Sequence, residues 1–292
     1  MTKSRFYCQI CGNETPKWQG KCPACKEWNS IIEELVTKKK NPTNSGISSS
    51  QGLPILIQNV TNDFNQRYIT KDVELNTVLG GGIVDGSVIL LAGEPGVGKS
   101  TLLLQMALLD EKKMLYVSGE EAVSQVKIRA DRIGIKNQNC HIYSETSTQK
   151  ILDYCKKNRD KHELIIIDSI QTLHSDFIDS PIGSVSQIKQ SCSELLKYAK
   201  ESDIPVILIG HITKEGQIAG PKILEHMVDV VLHFEGEKSH YYRLLRSKKN
   251  RFGSTSKVGV YEMVEKGLSP VLNPSTILIN DRSEQLSGTA IA

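Results

Sequence analysis

The residues at 93–100, Gly-Glu-Pro-Gly-Val-Gly-Lys-Ser, have the spacing of a phosphate cradle, G-x-x-x-x-G-K-[ST]. Gly93, Glu94, Pro95, Gly96, Val97 and Gly98 form the loop. Its three glycines let the backbone turn tightly, so that successive N–H groups point at one phosphate oxyanion. Lys99 is placed to reach the β- and γ-phosphates of ATP, and Ser100 to ligate Mg²⁺. Ser100 and Thr101 open a helix whose N-terminus adds unpaired donors and partial positive charge.

Two carboxylates and a histidine complete the expected nucleotide site. The run Leu-Ile-Ile-Ile-Asp at 164–168 is an apolar strand ending in an acid. Some 70 residues after a P-loop it reads as a Walker B strand, with Asp168 orienting a metal-bound water. The segment 116–121, Tyr-Val-Ser-Gly-Glu-Glu, ends another strand in acids. Ligands of α/β sheets sit beyond the carboxyl ends of strands, so Glu120 is the expected base. Glu121 fits the start of the next helix, where acids are favoured. His211 follows a further strand and faces the same crevice, where it is expected to sense the γ-phosphate.

A second chemistry lies at the N-terminus. Cys8, Cys11, Cys22 and Cys25 form two CxxC knuckles ten residues apart. Two knuckles bring four thiolates into a tetrahedral site, which favours Zn²⁺ over hard cations. The module is too short to build a core, so the ion is expected to hold it together. A Cys₄ set also serves iron–sulfur and redox chemistry, the alternatives to zinc. Trp18, Trp28, Lys17 and Lys21 are free either to touch DNA or a partner, or to pack the small module. Cys140, Cys155 and Cys192 read as small buried hydrophobes.

These groups need a scaffold. At 292 residues, 39% hydrophobic and 24% charged, the chain is long enough for one large α/β domain and an appendage. Strands are predicted at 87–93, 113–118, 140–143, 164–168, 205–210 and 228–234, and helices at 101–109, 122–133, 147–158 and 185–201. Near-continuous apolar strands alternating with helices indicate a mostly parallel sheet covered on both faces. Strands at 241–247 and 257–262, with no helix between them, are expected to close it with antiparallel hairpins. Residues 1–36 read as the Cys₄ module, 37–54 as a flexible linker rich in Ser, Asn, Gly, Pro and Lys, and 55–286 as the ATPase domain.

The net charge of +3 excludes no partner, but its distribution is uneven. Residues 238–257 hold seven basic side chains and no acid. Residues 1–50 hold eight basic side chains against four acidic ones, a patch for nucleic acid or simply a solvated face. No run of about 18 apolar residues reads as membrane-spanning, and the start of the sequence has no signal-peptide core. The expected location is cytoplasmic, without membrane contact.

The four cysteines, the stretch 75–105 leading through the P-loop, YVSGEEA at 116–122, IIIDSIQT at 165–172, GHITKEGQIAGPKILEHMVD at 210–229 and above all Lys249-Asn-Arg-Phe-Gly253 together resemble one family. It is the bacterial RadA (Sms) family of RecA-like DNA-repair ATPases, and the resemblance runs along essentially the whole chain. KNRFG argues against a helicase loader or a KaiC-like kinase. The resemblance implies a RecA-like P-loop NTPase core beside the small N-terminal Cys₄ zinc module. It also implies a homo-hexameric ring on single-stranded and branched DNA, partnership with the recombinase RecA, and branch-migration helicase activity. By position, Lys249 and Arg251 resemble cations that reach into the neighbouring subunit's ATP. The rest of the basic stretch, the loops at about 174–186 and 213–220, and Lys214 in particular, are expected to line the DNA channel. The family continues into a C-terminal Lon-protease-like domain, and 287–292 read as its beginning. A zinc-containing DNA-binding adaptor that uses ATP as an assembly switch is the competing class.

Metal analysis of the protein purified without chelator is expected to find about one Zn²⁺ per chain. Finding none overturns the Cys₄ reading.

Overall fold

The apolar runs at 88–93, 164–168 and 206–209 have no alternation, so they need a layer on each side. In the computed structural model, which describes residues 3–38, 56, 58, 67–211, 223–236 and 241–271, they are central strands of a nine-stranded sheet.

The chain begins with a ribbon of β1 (Lys3–Cys8), β2 (Glu14–Thr15) and β3 (Ile31–Lys38). A short hairpin of β4 (Arg67–Tyr68) and β5 (Ile83–Val84) brackets helix α1 (Val73–Leu79). Then strand and helix alternate: β6 (Val88–Gly93), α2 (Lys99–Leu109), β7 (Met114–Ser118), α3 (Val123–Ile133), β8 (Cys140–Ser144) and α4 (Thr148–Lys157). The walk continues through β9 (Leu164–Asp168), the short β10 (Ile178–Asp179), α5 (Val185–Ser202), β11 (Val206–His211) and α6 (Ile223–Met227). It closes with β12 (Val230–Gly236), β13 (Tyr242–Asn250), β14 (Val258–Val264) and β15 (Gly267–Pro270).

The sheet order is β15-β14-β13-β12-β6-β11-β9-β7-β8. From β12 to β8 every pairing is parallel, and from β12 to β15 every pairing is antiparallel. Successive side chains of β6 point to opposite faces. Ile89 and Leu91 pack with Leu103 of α2 and Val126 of α3, whereas Val88, Leu90 and Ala92 pack with Ile151 of α4 and Leu195 of α5. Each such valine, leucine or isoleucine side chain, fully buried, contributes about 1.5–3 kcal/mol. Local signals set the helix starts: Asp72, Ser147 and Ser184 accept hydrogen bonds from the first-turn N–H groups of α1, α4 and α5.

The ribbon is joined to the large domain by sheet pairing. β3 lies against β10, with Thr37 opposite Asp179 and Lys38 opposite Ile178. Tyr7, Val185 and Ile178 form a small apolar cluster beneath this joint. Thus β3 runs two residues into the stretch 37–54 expected as linker, because the backbone groups of Thr37 and Lys38 find partners. Part of 174–186, expected as a DNA-facing loop, carries that joint. Residues 39–54, Lys214 with its loop 213–220, and 287–292 lie outside the described residues.

Among the described residues no helix is long and apolar enough to cross a membrane.

His162, after α4, is only 4% exposed, and burial first of all pushes its pKa down from 6.5 to about 4. The unfolded chain therefore binds a proton that the folded chain refuses until about pH 4. Stability contributed by neutral His162 is complete above about pH 6.5 and falls as pH drops towards 4. Denaturant titrations at pH 7 and pH 5.5 are expected to differ by about 1 kcal/mol through this group. His162→Phe is expected to flatten that difference, and an unchanged pH dependence refutes the assignment.

Candidate nucleotide site and four-cysteine cluster

β6 ends at Gly93 and α2 begins at Lys99, so the predicted cradle spans the turn between strand and helix. Its glycines are required by geometry. A Cβ on Gly93 would stand 2.4 Å from the Phe234 carbonyl oxygen, and Gly98 takes a left-handed φ of +113°. Glu94, Pro95 and Gly96 form the exposed rim. Val97 is fixed from behind, its carbonyl accepting a hydrogen bond from Arg243 Nε at 3.2 Å. Lys99 Nζ lies inside the loop, donating to the carbonyls of Gly93 at 2.8 Å and Glu94 at 2.9 Å. Burial pushes its pKa down to about 8. Ser100 and Thr101 follow in the first turn of α2.

The parallel register brings the remaining predicted groups to the same sheet edge. His211 pairs with Gly93, and Asp168 with Ser118. Asp168 is buried, accepts a hydrogen bond from Tyr116 Oη at 2.6 Å and another from Ser100. Burial nonetheless raises its pKa. Glu120, two residues beyond β7, is held at one oxygen by His211 Nε2 at 2.8 Å and by the Ser169 hydroxyl, which donates to it. These contacts, His211 first, hold its carboxyl below the usual range, and the charge of Lys99 adds to them. Glu121 is engaged elsewhere, paired with Arg129. The crevice therefore offers a phosphate cradle with a lysine, a hydroxyl beside a buried carboxylate for a divalent cation, and an ionised glutamate for polarising water.

Two predicted site residues stand apart from this constellation. Asn250 pairs with Val230, Val230 pairs with Ile89, and Gly93 pairs with Phe234. The KNRFG turn thus starts level with Ile89, about 13 Å down the sheet from the cradle at ~3.3 Å per residue. Lys249 Nζ donates to the carbonyls of Glu225, His226 and Val228, at 2.8, 3.1 and 2.7 Å. Its ammonium caps the C-terminus of α6, with all three protons in use. Arg251 Nη1 lies 3.1 Å from Asp229 Oδ1, and its side chain is half exposed. The buried Asp229 also accepts from Val88 N–H at 3.0 Å, at the foot of β6. Lys249 and Arg251, paired by the sequence as reaching cations, thus play different parts here.

The sequence reading missed Tyr116, Ser169, Asp229 and Arg243. A serine after the Walker B acid and an acid before β12 were visible. Only folding sets them beside Glu120 and Val88.

In the ribbon, Cys8 Sγ lies 3.6 Å from Cys25 Sγ, and Cys11 Sγ 3.5 Å from Cys22 Sγ. All four sulfurs lie within 4.8 Å of one another. A tetrahedral Zn–S₄ site with bonds of about 2.3 Å has S···S edges of about 3.8 Å, so the cluster fits that ion. Gly12 (φ 69°) and Lys26 (φ 63°) take left-handed turns after each knuckle. Burial pushes the Cys11 thiol up to about 12. A bound cation would reverse that resistance to losing a proton.

A strand–glycine loop–helix unit with acids at the carboxyl edge of a mostly parallel sheet defines a P-loop ATPase of RecA-like fold. The chain belongs to the family described as AAA domain, whose model matches residues 58–217. Residues 6–33 match a model described as rubredoxin metal binding domain. The chain is 47% identical to DNA repair protein RadA of Bacillus subtilis (strain 168) and 44% identical to that of Listeria monocytogenes, with 99% of its length aligned in each case. It spans 64% and 63% of the length of those relatives. Among solved structures it resembles a KaiC-like protein of Pyrococcus horikoshii OT3, with a TM-score of 0.59 and 18% identity over 70% of this chain and 99% of that one. It also resembles the RadB recombinase, with a TM-score of 0.54 and 21% identity over 68% of this chain and 97% of that one.

Glu120→Gln is expected to lower ATP turnover by at least about 100-fold while nucleotide binding persists. Lys99→Ala is expected to abolish turnover with the fold intact. Normal turnover in either variant overturns its assignment.

Proposed function

We propose that this chain is the ATP-hydrolysing core of a DNA-repair protein of homologous recombination. It acts as a DNA-dependent motor that extends branches in recombination intermediates, and its nucleotide site is completed by the next copy in a homo-hexameric ring. The observation that carries this reading is the placement of Arg251. It lies at the far end of the sheet from its own cradle, with its side chain half exposed. A cation so placed is out of reach of its own γ-phosphate and suited to a neighbour's.

In this reading residues 93–101 hold ATP, and Ser100 with Asp168 hold Mg²⁺, which supplies charge neutralisation at the phosphates. Lys99 binds the phosphates from within the loop. Glu120 takes the proton of the attacking water, with its orientation set by Ser169 and His211. His211 stands two residues before the stretch 213–220 proposed to contact DNA. Arg251 of the adjacent copy stabilises the transition-state charge. Lys249 serves as the strut that holds α6 beneath it. The four cysteines hold structural Zn²⁺. The partners are single-stranded and branched DNA and a RecA recombinase. The naming of similar chains as DNA repair protein RadA supports the repair assignment.

The test is ATP turnover with and without single-stranded DNA, beside solution mass. DNA is expected to stimulate turnover. Arg251→Ala is expected to lose about 1,000-fold or more, in the range for such cations supplied in trans. Mixing it with Lys99→Ala is expected to restore part of the activity, because an intact cradle then meets an intact arginine. Absence of rescue refutes the trans role. ATP-dependent assembly with no DNA-stimulated turnover favours the switch reading.

A further inference from the structure

The two tryptophans of the ribbon are not part of its core. That core is Cys8, Cys22 and Ile31, with Phe6, Ile10, Cys11 and Cys25 against it. Trp18 is 59% exposed and Trp28 69% exposed. Both are held in place all the same. Trp18 Nε1 donates to the Ile31 carbonyl at 3.2 Å, and Trp28 forms an antiparallel bridge with Lys21. They stand over one floor: a Cβ on Gly20 would lie 3.8 Å from the Trp18 ring and 3.8 Å from the Trp28 ring. Lys21 Nζ sits over the Trp28 ring, 5.3 Å from its centroid. Lys17 and Lys26 are exposed on the same small module. Between residues 15 and 32 the lone carboxylate is Glu27, against three lysines.

We infer that Trp18 and Trp28, with Gly20 between them and Lys17, Lys21 and Lys26 around them, form a stacking platform for the bases of single-stranded nucleic acid. Fixed, exposed indoles offer flat apolar faces, and the lysines answer the charge of a phosphate backbone. A duplex keeps its base faces stacked inside and has little to offer such a surface. A polyanion without bases gains only the lysines. This site is separate from the nucleotide crevice, and the inference stands without the ATPase reading.

The chain contains just these two tryptophans, so intrinsic tryptophan fluorescence reports the platform alone. The full chain loaded with zinc is titrated with oligothymidylate. Quenching is expected, with much weaker quenching by a duplex of equal length or by polyphosphate. Trp28→Ala is expected to bind the oligonucleotide about 10-fold more weakly, with zinc content unchanged as the check on folding. Lys21→Gln, which keeps both rings, is expected to weaken binding and reduce its salt dependence. Oligonucleotide binding without quenching overturns the platform. So does equal affinity in zinc-loaded Trp28→Ala, or equal quenching by duplex. A fluorescence change produced by a purified RecA recombinase and not by the oligonucleotide overturns it in favour of a protein surface. DNA-stimulated turnover measured on the same samples separates the failure of this site from the failure of the motor reading.

Discussion

Parallel pairing of β6 with β11 on one side and β12 on the other decides where every group of the nucleotide crevice stands. Parallel strands all end at the same edge, so a loop leaving β6 meets the ends of β11, β9 and β7. The register His211 to Gly93 and Asp168 to Ser118 is what gathers a histidine, two acids and a lysine into one crevice. A slip of one residue would turn each of these side chains to the opposite face. Burial of β6 on both faces makes that slip costly, because all six of its residues are buried. The same pairing carries Arg251 away from the crevice, since antiparallel β13 returns to the other edge.

Asp229 anchors that other edge, joining the foot of β6 to the KNRFG turn. Its carboxylate accepts the first N–H of β6 and pairs with Arg251. A buried charge with two partners is a firm anchor, and removing one of them leaves it partly unsatisfied. Lys249 works nearby in a similar way, ending α6 with a cation on three carbonyls. The KNRFG turn is thus built onto the fold by its lysine and asparagine, whose amide donates to the Leu79 carbonyl at 3.0 Å. Its arginine remains half exposed.

Much of this was legible in the sequence because it is local. The cradle, the strand 164–168 and the two knuckles are each written in fewer than twenty consecutive residues. Apolar runs announced the central strands, and the CxxC spacing announced the four-sulfur cluster. Long-range pairing was not legible. Nothing adjacent to Asp229 in sequence reveals that Val88 and Arg251 meet it. The string IIEELVTK runs on into a lysine-rich stretch, so its end at 37–38 reads as linker until Ile178 and Asp179 offer a strand edge. Whether the two lysine-flanked tryptophans pack the small module or face outward stays open in the sequence, until its core is seen to be filled by cysteines, isoleucines and Phe6.

The pairing of β3 with β10 has a mechanical consequence. Tension applied to the ribbon is carried as shear across two residue pairs, Thr37 with Asp179 and Lys38 with Ile178. The strand that receives it lies ten residues after Asp168, beyond the short helical turn Ile170–Thr172. A pull on the metal module therefore bears at once on α5, whose Val185 packs with Tyr7 of the ribbon, and on the segment that leads back to Asp168. The ribbon is a handle, and two residue pairs with one small apolar cluster set how hard it can be pulled before it lets go.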